Sequence, residues 1–395
     1  MTFTKMEITT GKMESNIIDR YVDNKIRIGI LTSPTEQASV IPISNLIEIL
    51  KSLSKSIVII TGNASYDFFK HQTDIACYDN SHPMEKNLLK KIIYYLHAQC
   101  RDSYFLLKNR NNVEAWIFFM GGEREFIPIL TAHLLKKPVL LYIPGSAVRD
   151  AKFSKDPLLK PTEILSAIAH NLADYIILYS PNLISEWNLE PYHHKIIIAY
   201  RHFLDINTFT VTIPFIDRPP LIGYIGRLSG EKGIQNFAKA LPSILGNQQN
   251  LRVLIGGNGQ LKGAIETALT KQGLIDKVDL PDWISHDDLP GFLNRLRLLV
   301  LPSYTEGLPN IMLEAMACGT PVLATPVGAI PDIIKDGETG FIMENNSPKC
   351  IAENVERALS SPHLETIANN GRRFVEKNFT FEMMVVKWKE ILDLL

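Results

Sequence analysis

Short, continuous apolar runs alternating with helical periodicity constrain this chain more than any other feature of its sequence. Residues 25–32, 56–62, 115–122, 138–143 and 175–180 are five such runs in the first half. A run apolar on both faces is not a half-solvated strand, and so few residues do not make a buried helix. Each therefore reads as a strand covered on both sides. Between most of them apolar residues recur every three or four positions, as at Leu46, Ile49, Leu50 and Leu53. Strand and helix alternating in this way predict a parallel sheet wound with helices, a doubly wound α/β domain.

The same pattern then restarts. Pro219-Pro220 interrupts it, and 221–226 opens a second series. That series runs as helix 233–245, strand 251–256, helix to 272, strand 278–280, helix near 287–295, strand 298–301, a helix opening at Pro309, strand 321–325 and a short helix after Pro331. At 395 residues the chain exceeds one ordinary core. The expected organisation is an N-terminal extension (1–24), a first domain (25–205), a linker (206–220), a second domain (221–380) and a terminal helix (381–395) able to pack against either domain.

Composition removes several functions. Lys and Arg number 41 against 42 Asp and Glu, so the basic body of a nucleic-acid binder is missing. Cys77, Cys100, Cys318 and Cys350 form no C-x-x-C pair and have no His at metal-ligand spacing, which predicts a reduced compartment and no cysteine-bound metal. The first 24 residues mix charges without a signal-peptide core, and no later run reaches membrane-spanning length, so a cytoplasmic protein is expected. Residues 84–110 carry Lys86, Lys90, Lys91, Arg101, Lys108 and Arg110 around Leu88, Leu89, Ile92 and Ile93. One reading is an amphipathic helix making peripheral contact with the anionic inner face of a membrane; the other is a surface helix with a solvated basic face.

Candidate chemistry gathers in the second half. Residues 301–319 read as strand, loop and helix, with Pro309 where the helix begins and Gly319 where it ends. Glu306 lies in the loop, and Glu314 lies in the helix between apolar Leu313 and Ala315. A carboxylate in that setting needs a hydrogen-bonding donor or a ligand cavity unless it points to solvent. The Gly226 to Gly233 loop, Gly-Arg-Leu-Ser-Gly-Glu-Lys-Gly, joins a strand to a helix N-terminus and holds Arg227 and Lys232. Flexible glycines, two cations and a helix N-terminus suit a polyphosphate; the plainer alternative is a surface turn. No Ser or Thr follows Lys232, so this is not a P-loop. Gly256-Gly-Asn-Gly259 lacks the dinucleotide register and reads as a tight turn where backbone meets ligand. The histidines, among them His97, His133, His170, His193, His194, His202 and His286, form no readable triad or metal site and read as structural.

With Gly226-Arg227-x4-Lys232-Gly233, Gly256-Gly-x-Gly, Leu301-Pro-Ser-x-x-Glu306-Gly-Leu-Pro309, Glu314-Ala-Met-Ala-x-Gly319-x-Pro-Val322 and Gly337-x-x-Gly340-Phe341 in this order, the chain resembles the retaining glycosyltransferases of family 4. The resemblance is strong over 221–395, including two glutamates with seven residues between them, and in the first half extends only to the α/β layout. It implies the GT-B fold: two Rossmann-like doubly wound parallel-sheet domains facing a cleft, with a nucleotide-sugar donor on the second, an acceptor on the first and no obligatory metal or bound cofactor. Carried onto these residues, it implies Arg227 and Lys232 at the donor diphosphate, Glu314 at the ribose, Glu306 at the transferred sugar, and Gly226, Gly257, Gly307, Leu308 and Asn310 lining the donor site. Glu306, Arg227 and Lys232 are thereby the catalytic candidates.

The first half departs from the family twice. A Gly-Gly loop is common after the first strand, where this chain has Thr32-Ser-Pro-Thr-Glu-Gln-Ala-Ser39, and a His is common after the fourth, where it has Ile143-Pro-Gly-Ser-Ala-Val148. Either Gly145 and Ser146 supply backbone and hydroxyl contacts instead, or the active centre differs. The expected function is a metal-independent hexosyltransferase moving a sugar, with retention, from a UDP- or GDP-sugar to a glycan, lipid or small-molecule hydroxyl. The alternatives are a non-hydrolysing nucleotide-sugar epimerase and a non-catalytic nucleotide-sugar-binding subunit.

Overall fold

The computed structural model describes residues 26–82, 87–153, 155–248 and 250–395. The predicted extension at 1–24 and Lys86 of the basic segment lie outside the described residues. The described chain carries two parallel sheets. The first has seven strands: β1 (Ile26–Thr32), β2 (Ser54–Thr61), β3 (Ile75–Asp79), β4 (Ala115–Phe119), β5 (Val139–Tyr142), β6 (Tyr175–Leu178) and β7 (Ile196–Ile198), in the order β3-β2-β1-β4-β5-β6-β7. The second has six: β8 (Leu221–Ile225), β9 (Arg252–Gly256), β10 (Val278–Asp279), β11 (Leu298–Leu301), β12 (Val322–Ala324) and β13 (Phe341–Ile342), in the order β10-β9-β8-β11-β12-β13. This is the predicted α/β architecture, repeated.

Strand order locates the ligand end of each sheet. The chain steps outward from β1 to β2 and β3 and returns on the other side as β4; from β8 it steps to β9 and β10 and returns as β11. Consecutive loops diverge at that reversal, which opens a crevice beyond the carboxyl ends of the strands. Contact density divides the chain into two compact units, the first holding the described residues up to Leu140 with Leu172–Asp174 and Val385–Leu395, the second holding Leu141–Asn171 and Tyr175–Met384.

Apolar patterning explains which strands were legible. Strands β4 and β8 are buried at every residue, and each reads as an unbroken apolar run. Sequence reasoning missed β3, β7 and β13, each at an edge of its sheet. Only Ile75 of β3 is buried and all of β7 is half-buried, so neither needs that run. The helix predicted after Pro331 instead contains it, as Ile330–Ile333.

Residues 206–220, predicted as a linker, are fastened to the second sheet. Arg218, only 3% exposed, donates to the carbonyls of Ile213, Leu296 and Cys318 and to the Thr320 hydroxyl. Burial holds its guanidinium below the usual range, at about 10. The Asn294 side-chain carbonyl accepts from the backbone of Thr212 and Ile213.

The basic segment is a helix, Leu88–Lys108. Ile93, Leu96, Cys100, Tyr104 and Leu107 are exposed and recur every three or four residues, one stripe along its surface. Its only acidic residue, Asp102, is buried at 1% exposure. No helix among the described residues is long and apolar enough to cross a membrane.

The inner face of that helix meets a buried acid. Gln99 donates to Glu125 at 2.6 Å and Ser33 donates to its other oxygen at 3.3 Å. Burial first, then the charge of Asp102, pushes Glu125 up to about 8, and burial pushes Asp102 up to about 7. A carboxyl raised in the folded state contributes stability that is fully present below its unfolded value near 4.5 and is lost as pH climbs through the folded value. Glu125→Gln removes that loss while Ser33 turns its hydroxyl to accept. The variant is expected to match the wild type near pH 5 and exceed it at pH 8.5 by on the order of 2 kcal/mol in urea unfolding. Parallel stability profiles across that range would refute the buried-acid assignment.

Candidate functional site

Three loops at the carboxyl ends of β8, β9 and β11 build the site, and glycines set how closely they approach. After β8, the Gly226 N–H donates to the Gly256 carbonyl at 3.0 Å, and the Tyr224 hydroxyl donates to the Arg227 carbonyl at 2.7 Å. Gly257 has φ +130°, and a Cβ there would lie 2.1 Å from the Gly226 oxygen. Only glycine lets these two backbones touch.

Gly233 brings the β8 loop onto the β11 loop in the same way. Its φ is +69°, and a Cβ would sit 1.9 Å from the Pro302 carbonyl oxygen. The neighbouring Lys232 is thereby delivered to Glu306: its Nζ lies 2.8 Å from both carboxylate oxygens, and the Ser303 hydroxyl donates to Oε1 at 2.7 Å. The Glu306 side chain is 8% exposed, so two donors offset the cost of burying its charge. This pair stands at the β8/β11 reversal. Arg227 is open to solvent, its side chain 65% exposed, with Glu231 as a loose partner at 3.8 Å. One closely paired and one exposed cation thus stand on the loop at the carboxyl end of β8.

The backbone after Glu306 is clamped within the second unit. A Cβ on Gly307 would lie 2.1 Å from the Pro144 carbonyl oxygen and 3.0 Å from the Tyr179 ring, so the 143–146 loop rests directly on it. The Ser146 hydroxyl accepts from the Arg149 N–H at 3.3 Å, and the space beside Gly145 is open. Ala329 donates to the Gly307 carbonyl at 2.8 Å, and Gly328 donates to Glu186 Oε2 at 2.9 Å, a carboxylate that Arg149 also bonds. Leu308 is buried, and Asn310 opens the helix Asn310–Ala317.

That helix carries Glu314, whose partner is a histidine. The Glu314 side chain is 9% exposed, and His286 Nε2 lies 3.4 Å from its Oε1. The hydrogen bond to Glu314, ahead of the opposing effect of burial, raises His286 above its usual 6.5. The imidazole packs edge-on to Phe209 with ring centroids 5.1 Å apart. Three residues before it, on the turn after β10, Trp283 is 69% exposed, and the adjoining Asp282 carbonyl accepts from the Gly257 N–H at 3.2 Å.

The predicted residues therefore meet in pairs: Lys232 with Glu306, Gly226 with Gly257, and Gly307 with the loop holding Gly145 and Ser146. Arg227 stands apart from them. Lys232 and Glu306, assigned to different parts of a ligand, also hold each other, because a carboxylate so little exposed needs a cation at hand. Sequence reasoning missed Ser303, His286, Glu186 and Arg149. Ser303 lay inside a quoted motif; His286 was hidden among scattered histidines, and its position just past β10 was the usable signal.

Comparison with known proteins follows the same division of the chain. Residues 206–374, less than half of the 395, match the family model described as glycosyl transferases group 1. The chain is 33% identical over 176 residues to the capsular polysaccharide biosynthesis glycosyltransferase CapM of Staphylococcus aureus, covering 43% of this chain and 44% of that one. It is 31% identical over 156 residues to the alpha-D-kanosaminyltransferase of Streptomyces kanamyceticus, covering 39% of this chain and 40% of that one. It thus spans less than half the length of these curated relatives. Solved structures share the fold over far more of the chain. HepE of Anabaena in complex with UDP-glucose superposes with a TM-score of 0.72 at 16% identity, covering 94% of this chain and all of that one. Sucrose-phosphate synthase of Thermosynechococcus elongatus gives 0.70 at 17%, covering 93% and 98%. The two-sheet architecture is the GT-B fold.

Proposed function

We propose that this chain is a glycosyltransferase that moves a hexose-type sugar from a UDP- or GDP-sugar to a glycan, lipid or small-molecule hydroxyl, with retention and without a metal. The observation that carries this is the Lys232–Glu306 ion pair at the β8/β11 reversal, with the exposed Arg227 on the same loop as Lys232. Two cations facing one sheet end can hold a diphosphate and stabilise the charge that develops on it as it leaves, the task a metal performs elsewhere. Glu306 and the backbone at Gly307 and Leu308 orient the sugar, while Gly226 and Gly257 let backbone approach the phosphates. Glu314 accepts from the ribose hydroxyls, Asn310 lines the donor site, and Trp283 offers an indole for the base. The leaving phosphate takes the acceptor proton on the same face of the sugar, so catalysis is mainly positioning and charge stabilisation. Gly145 and Ser146 supply backbone and hydroxyl contacts in place of the His that many family members carry near the donor sugar. The matched relatives are named as glycosyltransferases and HepE binds UDP-glucose, which supports the transfer and the donor class.

A transfer assay over a panel of UDP- and GDP-sugars with lipid and glycan acceptors tests this. Turnover of one donor with retained anomeric configuration is expected. Folded protein that turns over none refutes it, and an isomerised nucleotide sugar in the absence of acceptor points to the epimerase instead. Tight binding without turnover points to a binding subunit. Because three of the four tryptophans, Trp116, Trp187 and Trp388, are buried, quenching of Trp283 reports donor binding.

The stripe on Leu88–Lys108, with Lys90 and Arg110 exposed near its ends, supports peripheral contact with an anionic membrane and with it a cytoplasmic, inner-face location. Co-sedimentation with phosphatidylglycerol but not phosphatidylcholine vesicles is expected, and Tyr104→Glu is expected to reduce it severalfold. Equal recovery with both vesicle types would remove the membrane from this account.

A further inference from the structure

We propose that His286 is a positioning residue: it holds the Glu314 carboxylate for the donor ribose and, in its cationic form, tightens donor binding. The inference rests on Glu314 being the ribose anchor proposed above. A carboxylate 9% exposed on the helix Asn310–Ala317 has His286 as its close partner, Nε2 to Oε1 at 3.4 Å. The ring of Phe209, itself buried at 2% exposure in the fastened 206–220 segment, lies edge-on to the imidazole at 5.1 Å and fixes its plane. An N–H on Nε2 turned toward Oε1 engages that oxygen and leaves Oε2 for the ribose hydroxyls.

Charge gives this contact a pH dependence. The groups acting on His286 are all carboxylates: Glu314 from the facing helix, Asp287 beside it in the chain and Asp205 from the segment after β7. Asp205 is engaged locally, accepting from the Thr208 hydroxyl at 2.6 Å and the Asn207 N–H at 3.0 Å. A nucleoside-diphosphate sugar brings two further negative charges toward this acidic surrounding. The imidazolium offsets them and the neutral ring does not, so donor binding favours the protonated form and draws in a proton. Affinity is accordingly highest below the raised value of His286 and falls as pH rises through it.

UDP-glucose and GDP-mannose carry phosphodiesters that do not titrate near neutrality, so they serve as probes for calorimetry on the full chain in buffers of different ionisation enthalpy. For whichever binds, wild-type affinity is expected to fall about fivefold between roughly pH 6 and 8.5, with fractional proton uptake near the middle of that range. His286→Asn and His286→Gln keep an N–H donor but cannot titrate, and each is expected to give a flat profile at the wild type's high-pH affinity. A wild type that takes up no proton overturns the proposal without need of a variant, as does His286→Asn with the wild-type slope. Glu314→Gln separates the two assignments. If it binds as the wild type does, the ribose anchor is wrong; if it binds tenfold or more weakly while the His286 variants still titrate, only His286 is misassigned. Binding of neither sugar overturns both.

Discussion

Lys232→Ala is expected to lower kcat/KM for the donor by roughly 10²–10³, the usual cost of removing one preorganised group that stabilises developing charge. The same truncation leaves Glu306, 8% exposed, with Ser303 as its remaining close donor, which should cost about 1–3 kcal/mol of stability. A loss of activity could then be a loss of fold, and a second variant separates the two. Lys232→Met combined with Glu306→Gln removes both charges together, so no unpaired carboxylate is buried and most of the stability returns. Free UDP and GDP carry no sugar for Glu306 to contact, so their binding stays weak in that double variant if the cation acts on the diphosphate. Calorimetry with both nucleotides beside urea unfolding decides it. Recovery of wild-type nucleotide affinity in the double variant would reduce Lys232 to a structural partner. Arg227→Ala provides the contrast: its guanidinium is open to solvent, so donor affinity should weaken by about 1.5–3 kcal/mol with stability unchanged.

Gly233→Ala is expected to have the largest effect on stability among the loop substitutions, about 3 kcal/mol, with loss of donor turnover. Two costs combine there. The backbone at φ +69° disfavours any side chain, and the added Cβ would fall 1.9 Å from a backbone oxygen, Pro302, which is not free to move because the same stretch carries Ser303 and Glu306. Relief requires the β8 and β11 loops to part, which draws Lys232 away from Glu306. Gly337→Ala isolates the first cost: its φ is +72°, yet nothing lies within 4 Å of its Cβ, so about 1 kcal/mol is expected. Equal destabilisation by the two substitutions would show that backbone conformation alone matters and that the loops are not held in register by contact.

Much of the fold was readable because the buried strands advertise themselves. Strands β4, β5 and β8 are unbroken apolar runs, since helices cover both faces of a doubly wound sheet. Edge strand β3 gave no such run, and edge strand β7, although apolar, is only three residues long; both went unread. Helix limits at Pro309 and Gly319 were legible from backbone chemistry, and Gly319 does take φ +65°. The requirement that Glu314 have a donor was likewise legible, although which donor was not.

The sequence by itself determined most of the two sheets' buried strands, the glycine loops and the residue types available at their ends, because hydrophobic period and backbone conformational limits act over a few residues. Tertiary structure alone decided the partnerships: that Lys232 meets Glu306 across 74 positions, that His286 meets Glu314, and that Gly307 lies against Pro144. These depend on strand order and loop approach over long separations. A parallel sheet brings the carboxyl ends of distant strands to one edge, and only the fold specifies which charges then need each other.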